Sequence, residues 1–269
     1  MAGVAGVAAA AAAFGAGVIA GAPEPPVPSV APRSLHRPRV PLKQPPAPVA
    51  LPPHFFPPAL DRLPAPYGTI YDLPGDGNLL ALTVDDGGSS ECVAAYARFC
   101  AESGFRLTFF LNGSLSAWTD NVALLRPLVD AGVIQLANHT WTHTSLPTLT
   151  DEAIQQDLLI NDAFIRDTYG VEARPYFRPP FGHYDDRVLA AAAAIGYTTP
   201  VMWYGTLSDA TEISDADLMT YATQYLLPQA IVIGHANHLT VTRHFREIAD
   251  IVRSRGLQPV TLDDVYSRP

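Results

Sequence analysis

The chain has 269 residues, 48% of them hydrophobic and 16% charged, enough to bury one large core beside a tail. Its formal net charge is −9 and Lys43 is its one lysine, which argues against a nucleic-acid binder built on a basic face. The acidity reads as ordinary solubility and carries little information about a substrate.

The first segment, residues 1–22, is apolar from Val4 to Ala22 and ends in Ala20-Gly21-Ala22 before Pro23, the small-x-small form of a signal-peptidase site. It lacks the Lys or Arg that normally precedes such a run. It reads as an export signal or an uncleaved membrane anchor, with an Ala/Gly-rich extension as the plainer alternative. Export would place the protein outside the cell or in its envelope; without a functional signal it would be cytoplasmic. Residues 23–66 hold most of the 26 prolines, together with Arg33, Arg37, Arg39 and Lys43. Proline fixes an extended backbone and removes ladder donors, so this stretch reads as a disordered, polyproline-like linker. Pro57, Pro58, Pro64 and Pro66 are expected at its junction with a domain spanning 67–269.

From Tyr67 onward, short β-like runs alternate with longer helical patterns. The expected strands are Leu79–Val84, Leu107–Leu111, Val133–Ala137, Tyr176–Arg178, Tyr197–Trp203, Ala230–Ile233 and Gln258–Val260. The expected helices are Glu91–Glu102, Asn121–Ala131, Asp151–Thr168, Asp186–Ile195, Asp215–Leu226 and Thr242–Arg255. Thr150 and Ser214 stand where helix N-caps belong. Cys92 and Cys100 fall in one expected helix, about 12 Å apart along its axis, so they are expected as free buried thiols. Strand and helix alternating in this way predict a parallel α/β architecture, either a distorted barrel or a doubly wound sheet. In both, function sits at the carboxyl ends of the strands.

The polar residues collect at that end. Asp85-Asp86-Gly87 follows the first strand, "NHTWTH" the third, "FRPPFG" the fourth, "MWYGTLSD" the fifth and "IGHANH" the sixth. His139 and His143, four apart, share a face of a helical turn. Two imidazoles and a carboxylate hold a divalent metal and leave positions for water and substrate. One of the paired aspartates can bind it while the other serves as a base. Arg178, on a rigid X-Pro-Pro stretch, can keep a carboxylate ionised or form an ordinary ion pair. His235 suits a general acid if a neighbouring carboxylate raises its pKa. His183 at the same rim is a candidate substrate contact, and His238 reads as a solvent-facing loop residue.

In this order the motifs resemble the polysaccharide deacetylase (NodB-homology) domain of carbohydrate esterase family four, over about Asn78 to Tyr266. "LTVDDG" is similar to the family's Thr-Phe-Asp-Asp-Gly, "HTWTH" to His-Ser/Thr-x-x-His, and "RPPFG" to its third motif. The resemblance implies a distorted (β/α)7-type barrel of parallel strands. It implies Asp85 as the base, and Asp86, His139 and His143 as ligands of a divalent metal, usually zinc, with cobalt as the alternative. It further implies Arg178 orienting Asp85, His235 protonating the leaving group, and Ile233 and Trp203 lining the acetyl pocket. A backbone N–H near Phe181 would face the oxyanion. The chain departs from the family at Val84 for Phe, Gly88 for Pro, and Thr206 in place of the first Asp of the fourth motif. Asp209 remains, without the Trp that usually follows, as a candidate partner of His235. The expected activity is removal of acetyl groups from an N-acetylated glycan such as peptidoglycan or a chitin-like polymer. O-acetyl-xylan esterase and small-amide deacylase are the alternatives. A non-catalytic glycan-binding module, which would have lost the base, a ligand or Arg178, is disfavoured because all are present.

Overall fold

The computed structural model describes residues 55–269. The export-like segment and the greater part of the proline-rich linker lie outside the described residues. The first strands and helices are β1 (Leu63–Pro64), β2 (Leu79–Asp86), α1 (Ser90–Ser103), β3 (Leu107–Leu111), α2 (Ala117–Asp120), α3 (Val122–Asp130) and β4 (Ile134–Asn138). Then come α4 (Asp151–Tyr169), β5 (Tyr176–Phe177), α5 (Asp186–Ala193), β6 (Thr199–Pro200), β7 (Gly205–Thr206) and α6 (Asp215–Tyr225). The chain finishes with β8 (Ile231–His235), α7 (Phe245–Ser254), β9 (Gln258–Pro259), α8 (Leu262–Val265) and β10 (Tyr266–Ser267).

Seven strands form a curled, parallel half-barrel in the order β6-β5-β4-β3-β2-β8-β7, with β9 pairing the start of β2. This is the parallel α/β architecture expected from the alternating pattern. The central strand β2 pairs β3 on one side and β8 on the other. Its residues from Leu80 to Asp85 are buried because both faces of the sheet are covered. Side chains alternate between those faces. Leu80, Leu82 and Val84 join the helix-facing core with Tyr96, Phe109 and Leu158. Ala81 faces the inside of the curl with Phe110, Ala137, Tyr176 and Ile231. The same alternation carries Thr83 and Asp85 inward.

Helix boundaries follow their caps. The Thr150 side chain accepts from the Ala153 amide, and that of Ser214 from the Asp217 amide. Cys92 and Cys100 are free, buried thiols on α1, as expected. Several elements differ from the sequence reading. The expected helix 121–131 is α3, and a separate short helix, α2, which the sequence reading did not include, precedes it and ends next to Asn121. The helix expected from Thr242 opens as a 3-10 turn and becomes α-helical at Phe245. The strand expected over 197–203 shrinks to Thr199–Pro200, since the Val201 and Met202 carbonyls accept from the Arg178 guanidinium instead of a neighbouring strand. The short strand β7 and helix α8 carry too few residues for a periodic signal.

The domain also begins before Tyr67. Phe55 packs edge-on against Phe105 at 5.3 Å, and β1 pairs in parallel with β10. Proline is tolerated there because an edge strand needs few donors. Composition alone assigns these residues to the linker; their contacts put them on the domain.

Candidate active site

The first half of the site is built inside the curl. Arg178 follows β5 and is fully buried. Its guanidinium donates to Asp85 Oδ1 at 2.5 Å, to Thr83 Oγ1 at 2.9 Å, and to the Val201 and Met202 carbonyls at 2.8 and 3.1 Å. It lies 4.2 Å above the Phe110 ring. A buried charge needs this saturation, because an unpaired one is costly to desolvate. The bidentate partnership with strand β2 and the 202 region fixes Asp85, which is 2% exposed, and leaves Asp85 Oδ2 toward the cleft, 3.6 Å from His139 Nε2.

Asp86 would continue the alternation onto the helix-facing side, but its φ is 71°. That left-handed turn, which Asp tolerates better than most residues, aims the carboxylate at the rim. The turn is held from behind. The Asp86 carbonyl accepts from Trp118 Nε1 at 2.9 Å and from the Asn112 amide at 3.1 Å. Gly87 follows with φ 104°, and a Cβ there would stand 2.4 Å from the Trp118 ring, so no larger residue fits.

Opposite, His139 and His143 lie not on a helical turn but on an irregular loop after β4. Thr140 and His143 both have positive φ, 66° and 54°. The loop is pinned by buried side chains. Asn138 Oδ1 accepts from the Thr140 amide at 2.9 Å, and the Asp157 carboxylate on α4 accepts from the Thr142 amide and hydroxyl at 3.0 and 2.9 Å. His139 Nδ1 donates to the Arg178 carbonyl at 2.7 Å, which assigns its proton and leaves Nε2 as a lone pair. His139 Nε2 and His143 Nε2 stand 3.4 and 3.2 Å from Asp86 Oδ1.

The donors fit a divalent metal. Asp86, His139 and His143 each offer an atom within 4.8 Å of the others. Asp86 Oδ1 is buried with no hydrogen-bond partner, which is unusual unless a cation or its equivalent completes it. Its Oδ2 is held separately by Asn237 Nδ2 at 2.7 Å. Burial alone would raise the Asp86 carboxyl, but His139 and His143 hold it far below the usual range. Burial would lower His139, and Asp85 and Asp86 outweigh that and raise it.

On the β8 side, His235 Nδ1 pairs with Asp209 Oδ1 at 3.1 Å. Burial lowers the imidazole, yet the Asp209 hydrogen bond and the charges of Asp85, Asp209 and Asp86 raise it overall. These groups surround a cleft of about 910 Å³. Of the site residues expected from sequence, Asp85, Asp86, His139, His143, Phe181, Trp203, Ile233 and His235 line it. Arg178 and Asp209 stand buried behind Asp85 and His235. His183 is not among the residues lining the cleft; its Nδ1 is 3.2 Å from Ser145 Oγ. His238, read as solvent-facing, lines the cleft. The positioning residues Asn138, Asp157 and Asn237 went unnoticed in the sequence. Asn138 and Asn237 sit inside the quoted motifs, a signal that could have found them. Asp157 shows none, because it reaches the loop from mid-helix.

The fold and site together define a class: a curled, parallel α/β half-barrel with a carboxylate and two imidazoles clustered where its strands end. The polysaccharide deacetylase family profile matches residues 72–200. Chitin deacetylase 1 of Cryptococcus neoformans var. grubii is 36% identical over 139 residues, 52% of this chain and 28% of that protein. An uncharacterized protein of Streptomyces coelicolor is 30% identical over 197 residues, covering 70% of this chain and 73% of its own length. Among solved structures, a CE4 family pseudoenzyme from Bacillus anthracis superposes with a TM-score of 0.64 at 22% identity, covering 74% of this chain and 70% of that one. The chain belongs to the polysaccharide deacetylase family.

Proposed function

We propose that this chain is a metal-dependent hydrolase removing acetyl groups from the N-acetylated sugars of a glycan, peptidoglycan or a chitin-like polymer. The observation that carries the reading is one cleft in which a metal-competent Asp86/His139/His143 cluster faces both an Arg178-held Asp85 and an Asp209-backed His235. Asp86, His139 and His143 would hold a divalent cation, zinc or alternatively cobalt, which would supply Lewis-acid polarisation of the acetyl carbonyl and a more acidic water.

The chain's own residues do the rest. Asp85 takes a proton from the water as the carbon–oxygen bond forms. Arg178 keeps that carboxylate ionised and aimed. With Nδ1 turned to Asp209, His235 exchanges its proton through Nε2 and protonates the departing nitrogen as the carbon–nitrogen bond breaks. Acetate and a free amine result. Trp203 and Ile233 shape the apolar wall beside the acetyl methyl group.

The buried Asp209–His235 pair favours an amide over an ester, because an amine is the poorer leaving group and needs the proton more. The resemblance to a chitin deacetylase supports a polymeric N-acetyl substrate. A location outside the cytoplasm is part of the same proposal and follows from residues 1–22.

The test is acetate release from chitin oligomers, peptidoglycan and acetylated xylan, with and without a chelator. Release from an N-acetylated glycan that stops on chelation is expected. Release only from acetylated xylan would move the assignment to an O-deacetylase, and release from none would leave a glycan-binding module.

A further inference from the structure

The Asp209–His235 pair has a neighbour that the proposed mechanism does not use. Asp209 Oδ1 is spent on His235, while Oδ2 is buried with no hydrogen-bond partner. The hydroxyl of Tyr96, a fully buried residue of α1, is in the same position. Both atoms lie 3.5 Å from the point where a Cβ on Gly234 would stand. They are therefore no more than about 7 Å apart, on either side of the side-chain-free face of residue 234, with Leu207 Cδ1 3.1 Å from the same point.

Two further observations fix the direction. The Tyr96 ring is wedged between Phe109 and Phe245, with centroids at 5.8 and 4.7 Å, so packing aims the hydroxyl. Burial and the charge of Asp209 push the phenol well above its ordinary range, so it keeps its proton and is a donor. Cys92, one turn earlier on α1, spends its Sγ–H on the His238 carbonyl at 3.4 Å. Two buried polar atoms facing one small space are costly to leave unpaired. One water with a donor on one side and a carboxylate on the other removes both costs.

We propose that Tyr96 is a positioning residue for the acid: its hydroxyl donates, through one buried water seated over Gly234, to Asp209 Oδ2. Asp209 is thereby held with Oδ1 toward His235, and His235 with Nε2 toward the substrate. The role in turnover rests on the deacetylase reading above; the bridge itself does not.

The test compares Tyr96→Phe, Asp209→Asn and the double variant in the full zinc-loaded chain. Tyr96→Phe is expected to lower kcat on an N-acetylated glycan about tenfold, with KM and bound zinc unchanged, and to cost nothing further in the Asp209→Asn background. Gly234→Ala, whose Cβ would point at both oxygens and crowd the bridging water, is expected to match Tyr96→Phe and not to add to it. It stands in should Tyr96→Phe fail to fold. The His235 Nδ1–H proton resonance, sharp in the wild type, is expected to broaden in both single variants. An unchanged kcat and resonance, or losses that multiply between Tyr96→Phe and Asp209→Asn, would overturn the proposal. The resonance reads the bridge without turnover. A wild-type protein that releases no acetate therefore counts against the deacetylase reading, while the resonance still decides for or against Tyr96.

Discussion

Asp85 and Asp86 are neighbours in the chain, and electrostatics alone would keep two such carboxylates from sharing a buried site. The backbone turn at Asp86 separates them: one carboxylate meets a guanidinium inside the curl, the other meets two imidazoles at the rim. Asp85→Asn should therefore keep its metal and lose turnover by about 10²–10⁴-fold. Metal analysis beside acetate release checks this, and loss of metal from that variant would show the two roles to be reversed. His235→Ala should slow amide cleavage far more than cleavage of an activated acetyl ester; equal losses on both substrates would rule out proton donation. Asp209→Asn bears on pH. Burial pulls His235 down and Asp209 pulls it up. Removing Asp209 leaves only Asp85 and Asp86 to oppose burial, so the alkaline limb of kcat should move to lower pH. The stability sign agrees. A group raised in the folded state adds stability below its unfolded pKa, about 6.5, and loses it as pH climbs through the raised folded value. In chelated protein that loss should be measurable by urea denaturation across the range and smaller in Asp209→Asn, which keeps the share of His139.

At the scale of elements, the loop after β4 matters most. Its two histidines sit at strained or irregular positions, so their convergence depends on what holds the loop from α4 and β4. Asp157 accepts both the amide and the hydroxyl of Thr142 and is 5% exposed. Asp157→Ala leaves those donors unpaired, at about 1–3 kcal/mol of stability. Metal affinity should fall by about 10–100-fold, as for other residues that support a ligand without touching the metal. Calorimetric titration with zinc reads this directly, and an affinity equal to wild type would mean that the loop holds its shape unaided. The element also shows where sequence reasoning stops. The four-residue spacing of His139 and His143 suggested a helical turn. The two rings do come together, but by a different local geometry, because an αL residue at Thr140 turns the loop instead.

For the whole molecule, metal and fold should be coupled. The three candidate ligands follow the ends of β2 and β4, so a cation held there would tie the centre of the sheet to its neighbours. A ligand that binds only the folded state at 100 times its Kd adds about 2.7 kcal/mol. For a domain of this size that is about 5–10 °C in Tm. Chelation should lower Tm by that amount and abolish acetate release, and zinc or cobalt should restore both. Turnover that survives complete removal of metal would sink the proposed chemistry.

Much of this was legible before any coordinates. The buried runs of β2, β3 and β8, the caps at Thr150 and Ser214, and the clustering of Asp85, Asp86, His139, His143, Arg178 and His235 at strand ends depend on local pattern, and local pattern is what a sequence carries. The ends of the chain's short elements were not legible, since two-residue strands such as β6 and β7 are set by partners far away. Neither was the left-handed turn at Asp86, which Trp118 and Asn112 impose from another part of the fold. The depth of Arg178, the contact of His183 with Ser145, and the meeting of Asp209 with Tyr96 over Gly234 were decided by tertiary structure alone. Each is a contact between residues tens of positions apart, and the curl of the sheet determines which of them share a space.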